Sequence, residues 1–323
     1  MKHLRILQAG PMLTVQDLGR KGLLHAGVSG SGPMDAPSFR IANALVGNTQ
    51  DMAALEFASA GGTFEVAEPV RFAVTGGDVD IRIDGSAMHP WESHNLFPGS
   101  ILHIGGLRSA VWGYLAFSGG IDTPLILGSR ATHLRTGLGG HEGRCLRAGD
   151  LLPIGSLDAM PLLALTKPWR RSNRPINVVA GPQGDYFDAL TWRRFLGSSF
   201  VVSSSRDRMA QMLDGPAIAA CRGHDIVSDG TTLGSIQVPS SGRLIVLMAE
   251  RQTTGGYPKI ATVASVDVPR LAQTPSGLAI RFRLISQAAA EALLVAERQA
   301  LQDVIVSLSE KTTPMSVAQE VAL

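Results

Sequence analysis

Two stretches of the chain open alike and continue alike, and that repetition limits the possible folds more than any single residue does. LQAGPM at residues 7–12 matches VVAGPQ at 178–183, and YLAFSGGIDTPLIL at 114–127 matches MAERQTTGGYPKIA at 248–261. Each copy reads strand, Ala-Gly-Pro, and later strand, Gly-Gly, Pro, strand, the signature of a duplicated structural unit. The 323 residues suit two such units better than one core, because single cores stop growing at about 250–300 residues. The first copy has the longer interval between its landmarks, with the helix-bearing PMDAPSFRIANALVGN as the addition.

Between these landmarks AALEFA, GTFEVA, VRFAVTG, VDIRIDG, SILHIG and AVWGYLAFSGG are short apolar runs separated by Gly, Pro or Asp, which is strand-and-turn chemistry. The 36 glycines and 18 prolines support the same reading, so the expected fold is mainly β with a few helices, built as two tandem barrels. Asp35 is placed to cap a helix over 36–46, where Pro37 suits the first turn and Ile41, Ala42, Leu45 and Val46 recur at helical spacing. Asp185 is read as the cap of a second helix that Gly197 ends, and SQAAAEALLVAERQALQDVIVSLSEK as a long amphipathic helix. The expected organisation is a first domain at 1–160, a proline- and arginine-rich linker at 161–175, a second domain at 176–286, and a terminal helix and tail at 287–323.

Several functional classes fall away. A net charge of +2 with 17% charged residues leaves no basic stripe for nucleic acid. Cys145 and Cys221 form no close pair, which argues against a disulfide framework or a zinc site and suits a reducing cytoplasm. No run approaches the roughly 18 apolar residues of a membrane span. GLGGHEG lacks dinucleotide spacing, and neither GxxxxGK[ST] nor GxSxG occurs. In HPWESH, Pro90 opposes the helix that would put His89, Glu92 and His94 on one face, so the segment reads as a surface turn.

The most polar interruption of the core pattern is RQTTGGYPK, residues 251–259. Its glycines allow close backbone approach, while Gln252, Thr253, Thr254 and Lys259 supply donors for a carbonyl, amide or carboxylate. Residues 118–144 offer Asp122, Arg130, Arg135, Glu142 and Arg144 for a charged group. A third segment, 14–35, is a long irregular loop holding Asp17, Arg20, Ser29, Ser31 and Asp35. Asp35 has helix capping as a competing role. Asp207 and Arg208 in DRM read equally as a salt bridge, and Ser228 and Asp229 in SDG as an ordinary turn.

Taken in order, TVQDLGRKG, GVSGSGPMD, IANALVGN, SGGIDTPLILGSRATHLRTGLGGHEGRCLRAGD, GPQGDYF, SDGTTLGSIQVP and ERQTTGGYPKIATV resemble the family called allophanate hydrolase subunit 2, KipA-like protein or biotin-dependent carboxyltransferase. The resemblance implies two cyclophilin-like β-barrels and a place in a multi-subunit enzyme. One branch is the C subunit of a 5-oxoprolinase, which opens 5-oxoproline to L-glutamate with ATP. Its implied partners are a KipI-like protein (allophanate hydrolase subunit 1) and a LamB/YcsF-type protein. In that branch ATP is held in the complex, on this or another chain. A second branch is the carboxyltransferase of urea carboxylase, using carboxybiotin carried by a partner protein, and a third is a regulator of a KipI-like kinase inhibitor. The chain reads as free of fused biotin or amidase domains, which favours the first.

For such amide chemistry the expected catalytic residues are Asp35, Glu142 and Lys259. The expected substrate-binding residues are Arg20, Arg130, Arg135, Gln252, Thr253, Thr254, Gly255, Gly256, Tyr257, Asp207 and Arg208, with no metal. In SRDRMAQML the chain departs from the family pattern, with Ala210 for a glycine and Met212 for an arginine, and Pro33 stands where alanine is usual.

Overall fold

Period-two alternation builds the first half of the structure, a computed structural model that describes residues 2–166, 169 and 174–311. From the strands Ala54–Ala58 and Trp112–Phe117, the side chains of Leu55, Phe57, Leu115 and Phe117 enter a core with Leu4, Ile6, Phe64, Phe72 and Ile104. Ala54, Trp112, Tyr114 and Ala116 belong to a different apolar cluster on the other face. These strands are buried on both faces, which is why they read as continuous apolar runs.

Two antiparallel sheets enclose the first core. One has the order Leu151–Pro153, His3–Ala9, Ala60–Val66, Leu102–Arg108, Asp78–Ile83, Ser86–Met88; the other Thr14–Gln16, Ala54–Ala58, Trp112–Phe117, Val70–Thr75, Ser93–Leu96. Helix α1, Ala36–Leu45, covers the second sheet with Phe39, Ile41, Ala42 and Leu45, close to its expected limits. The cluster under α1 continues into the core of the second half, so the halves share an apolar contact.

The second half is one eight-stranded sheet ordered Ala279–Ile280, Phe200–Arg206, Ala210–Asp214, Leu244–Leu247, Ser235–Gln237, Lys259–Val263, Ile176–Ala180, Phe282–Leu284. Its two edge strands are joined by a single residue, Arg281, so the sheet must curl until its edges nearly meet. Helix α2, Ala189–Gly197, closes against this barrel through Phe195, which stacks on Phe282 at 4.8 Å and meets Phe200 at 6.0 Å. Its cap is Asp188, which accepts from Thr191 N at 2.7 Å; Asp185 lies one turn earlier, in the short 3-10 segment Gly184–Tyr186. The sequence reading missed α3, Val268–Gln273, which follows directly on a 3-10 turn. Helix α4, Gln287–Val306, begins at the Ser286 cap and buries only Leu301, so most of its apolar residues face solvent. Four helices in a mainly β structure agree with expectation among the described residues.

The two Ala-Gly-Pro corners do the same job. Gly10 N donates to Gly61 O at 2.9 Å and Gly181 N to Ile260 O at 2.8 Å, each closing the end of its half's first strand. A Cβ would fall 1.9 Å from Ala60 O at Gly10 and 2.2 Å from Lys259 O at Gly181, so both positions exclude a side chain. The two Gly-Gly pairs do different jobs. Gly119 and Gly120 turn the chain at φ 90° and 69°, whereas Gly255 lies in a short strand paired with Asp229–Gly230.

HPWESH turns at Pro90–Trp91 as expected, with His89 exposed, but its end is a buried strand and not surface. His94 lies in the strand Ser93–Leu96, is buried beside Phe72, and meets His89 O at 2.8 Å. Burial lowers its pKa. Of the expected linker and tail, 167–168, 170–173 and 312–323 lie outside the described residues.

Candidate functional site

Lys259 opens the strand Lys259–Val263, and alternation turns its side chain inward, where it is 1% exposed. Its Nζ donates to Asp229 Oδ2 at 2.9 Å, and Gln183 Nε2 donates to the same oxygen at 3.2 Å. Gln183 Oε1 in turn accepts from Lys259 N at 3.2 Å, so the Ala-Gly-Pro-Gln corner holds the base of this lysine. An ammonium has three donors and one is directed at Asp229, leaving two for other oxygens. The bonds from Lys259 and Gln183 hold the Asp229 carboxyl below its ordinary pKa, so it stays ionised near neutrality.

The RQTTGG segment forms the wall of this corner. Gln252 Nε2 donates to Gln237 Oε1 at 3.2 Å, Thr231 N to Thr253 O at 2.9 Å, and Ile226 N to Gly256 O at 2.8 Å. Gly255 is needed for contact: a Cβ there would lie 2.3 Å from Gln237 Nε2. That amide nitrogen is buried and meets no acceptor among the described residues. Thr254 and Tyr257 are exposed at the rim. The corner therefore gathers Lys259, Gln252, Thr253, Thr254, Gly255, Gly256 and Tyr257, as expected from their proximity in the chain, and adds Gln183, Asp229, Thr231 and Gln237 from other segments. It offers one cation and several amide donors around a carboxylate, which suits a carbonyl, lactam or carboxylate ligand.

Arg208 belongs to a second, sealed constellation. It is 1% exposed and forks between the halves: Nε to Glu250 Oε1 at 2.6 Å, Nη1 to Glu56 Oε1, and Nη2 to Ser31 Oγ at 3.0 Å and Gly32 O at 2.7 Å. Glu56 also accepts from Met34 N at 2.7 Å and Tyr114 Oη at 2.8 Å, and Glu250 from Leu134 N at 3.0 Å. Burial opposes the charge on Arg208, but the two carboxylates outweigh it and raise its pKa; burial pushes the Glu56 carboxyl up against the pull of Arg208. Asp35 is also fully buried, accepting from Ser38 Oγ at 2.6 Å and Gln273 Nε2 at 2.8 Å while capping α1. Neither Arg208 nor Asp35 presents a surface to a ligand; each ties structural elements together.

The remaining candidates are dispersed. Arg20 is 5% exposed and donates to the carbonyls of Ile126 and Ala131 at 3.1 and 2.7 Å, stitching loop 14–35 to loop 118–144. Burial lowers its pKa. Arg130 pairs with Asp122, and its backbone N donates to Asp17 at 2.6 Å. Arg135 and Asp207 meet at 3.0 Å on the exposed seam between the halves. Asp207 also accepts from Met209 N and Ala210 N, at 2.7 and 3.0 Å, with no positive φ, so alanine is accommodated at 210. Glu142 is exposed at φ 56° and accepts from Arg144 Nε at 2.9 Å, with no hydrogen bond to either constellation among the described residues. The sequence reading missed Glu56, Glu250 and Gln237. A lone carboxylate inside ALEFA and another ending VLMAE were the available signals.

A family model described as "Carboxyltransferase domain, subdomain A and B" matches residues 26–284. The protein named as the C subunit of 5-oxoprolinase from Escherichia coli (strain K12) is 39% identical over 284 residues, covering 86% of this chain and 90% of its own length. Urea amidolyase from Saccharomyces cerevisiae is 29% identical over 320 residues, covering 90% of this chain but only 17% of its own. The crystal structure of Kluyveromyces lactis urea carboxylase matches with a TM-score of 0.87 at 28% identity, over 94% of this chain and 29% of that one.

Proposed function

The chain belongs to the carboxyltransferase-domain family, subdomains A and B, and from that premise we propose that it is the C subunit of a 5-oxoprolinase. In this role it takes part in the ATP-dependent opening of 5-oxoproline to L-glutamate, with a KipI-like protein and a LamB/YcsF-type protein as partners. The observation that carries this reading is the 39% identity to a relative of that name, matched across 86% of this chain and 90% of the relative. The urea amidolyase likeness is weaker in identity and spans under a fifth of that protein.

The Lys259 corner is the proposed substrate site. The free donors of Lys259, with the Gln237 and Gln252 amides, would hold the lactam carbonyl or carboxylate, and stabilise negative charge as the ring amide is attacked. Asp229, ionised and fixed by Lys259 and Gln183, sets the position of that ammonium. Arg135 and Arg130 lie on other surfaces and are left to contacts with partner proteins. ATP or carboxybiotin, if supplied by the larger complex, would provide the activated phosphoryl or carboxyl group. A triphosphate does not fit this corner, where one cation is already offset by Asp229; a ureido or lactam carbonyl does.

The test is glutamate formation from 5-oxoproline and ATP by the co-purified three-component complex, with and without this chain and with Lys259→Met. Activity that requires the chain and falls in the variant supports the proposal. A complete, folded complex without activity transfers the reading to urea and carboxybiotin, and wild-type turnover by Lys259→Met removes Lys259 from the site.

A further inference from the structure

A cleft of about 840 Å³ opens along the seam between the two halves and shares no lining residue with the Lys259 corner. The first half contributes residues 76–78 and 108–110; the second contributes residues from 174–176, 199, 270–275 and 278–281. Its charge is one-sided. Among the described residues, Arg108, Arg174, Arg270 and Arg281 line it against a single carboxylate, Asp78. Arg108 pairs with Asp78 at 3.5 Å, and Arg270 with Asp267 just outside the cleft. Arg174 and Arg281 have no carboxylate partner among the described residues; Arg281 Nε donates only to Ser199 Oγ, at 2.9 Å.

The placement is firm as well as basic. Arg281 is the residue that joins the two edge strands of the second barrel, and its carbonyl accepts from Ile176 N at 2.7 Å. The floor holds Gln273, whose Oε1 accepts from Val111 N and Trp112 N, both at 2.9 Å, while Nε2 donates to Trp112 O at 2.7 Å. Beside the guanidiniums stand apolar side chains, Pro275, Leu278 and Ile280. Planar guanidinium forks match phosphate oxygens in pairs, and the volume falls within the roughly 300–1,000 Å³ of small-molecule sites.

We propose that this cleft binds a phosphate-bearing small molecule of nucleotide size, with its phosphates on Arg174 and Arg281 and its apolar body against Pro275, Leu278 and Ile280. Such a ligand sits on the second half's wall of the seam and faces residues 76–78 and 108–110 of the first half. Neither the 5-oxoprolinase reading nor the Lys259 corner is needed for this proposal.

The experiment is titration calorimetry of the full chain with pyrophosphate and with ATP, on the wild type and on Arg174→Ala/Arg281→Ala. Both arginines are exposed, so the double variant should retain the wild-type circular dichroism spectrum and melting curve. Expected results are saturable binding of both probes, tighter for ATP, and at least about tenfold weaker in the double variant. Raising salt from about 0.05 to 0.5 M should weaken both probes, because the phosphate contacts are screened. No saturable binding, or equal affinity in the double variant, overturns the site; equal affinity for the two probes overturns the apolar part. The assay needs neither partner proteins nor 5-oxoproline, so its outcome is separate from that of the glutamate test.

Discussion

Lys259 and Arg208 are equally buried, at 1% exposure, yet their surroundings give them opposite uses. Arg208 spends its fork on two buried carboxylates, a hydroxyl and a carbonyl, and those partners come from both halves of the chain. Lys259 directs one donor at a carboxylate whose side chain is 48% exposed. A buried cation with its donors matched by buried acceptors is a structural tie, whereas one with spare donors beside an open carboxylate can take a ligand. Burial alone does not separate the two cases.

The largest expected effect tests the tie. Arg208→Ala leaves Glu56 and Glu250 buried without their counter-charge and should cost about 3–5 kcal/mol in urea denaturation. A loss below about 1 kcal/mol would show that the cluster does not hold the halves together. Lys259→Met reverses the pattern: stability should change by about 1 kcal/mol or less, while turnover of the assembled enzyme falls roughly 100-fold, equivalent to about 3 kcal/mol. If Lys259→Met proves as destabilising as Arg208→Ala, the distinction between the two cations fails.

Gln273→Ala is intermediate. It unpairs Val111 N and Trp112 N and removes one of several bonds to Asp35 at the junction, with an expected cost of about 2 kcal/mol by thermal melting and no change in the KM for 5-oxoproline. A raised KM would tie the junction to the substrate site. The smallest effect is the pH dependence of the open pair. Asp229 is held below its ordinary 3.8, so its stabilisation is complete above about pH 4 and is lost as pH falls through the lowered value. With that side chain half exposed, the difference between wild type and Asp229→Asn should be only a few tenths of a kcal/mol, about 0.3, at pH 7 and vanish once the pH has fallen below the lowered value. A difference that instead grew on acidification would contradict the sign of the shift.

Much of the fold was legible because it is local. The cap at Asp35, the spacing through Leu45, the Ser286 start of α4 and the glycine- and proline-bounded strands all follow from interactions within a few residues. The second cap was misread because Asp185 and Asp188 are equivalent by composition, and only the 3-10 turn at Gly184–Tyr186 separates them. Helix α3 escaped notice because six residues give too short a period to detect. Within the candidate site, the RQTTGG wall and Lys259 were visible as polar residues crowded between apolar strands. Gln237 was not, since a glutamine ending a strand carries no sign of what lies opposite it.

By itself the sequence determined the family, the mainly β class and the repeated Ala-Gly-Pro landmarks, since these rest on motif order and alternation. Only the tertiary structure decided which charged residues are ties and which remain open. Arg208 meets Glu56 across 152 positions and Gln273 meets Asp35 across 238, and no period in a chain encodes pairings made by the closure of one half against the other.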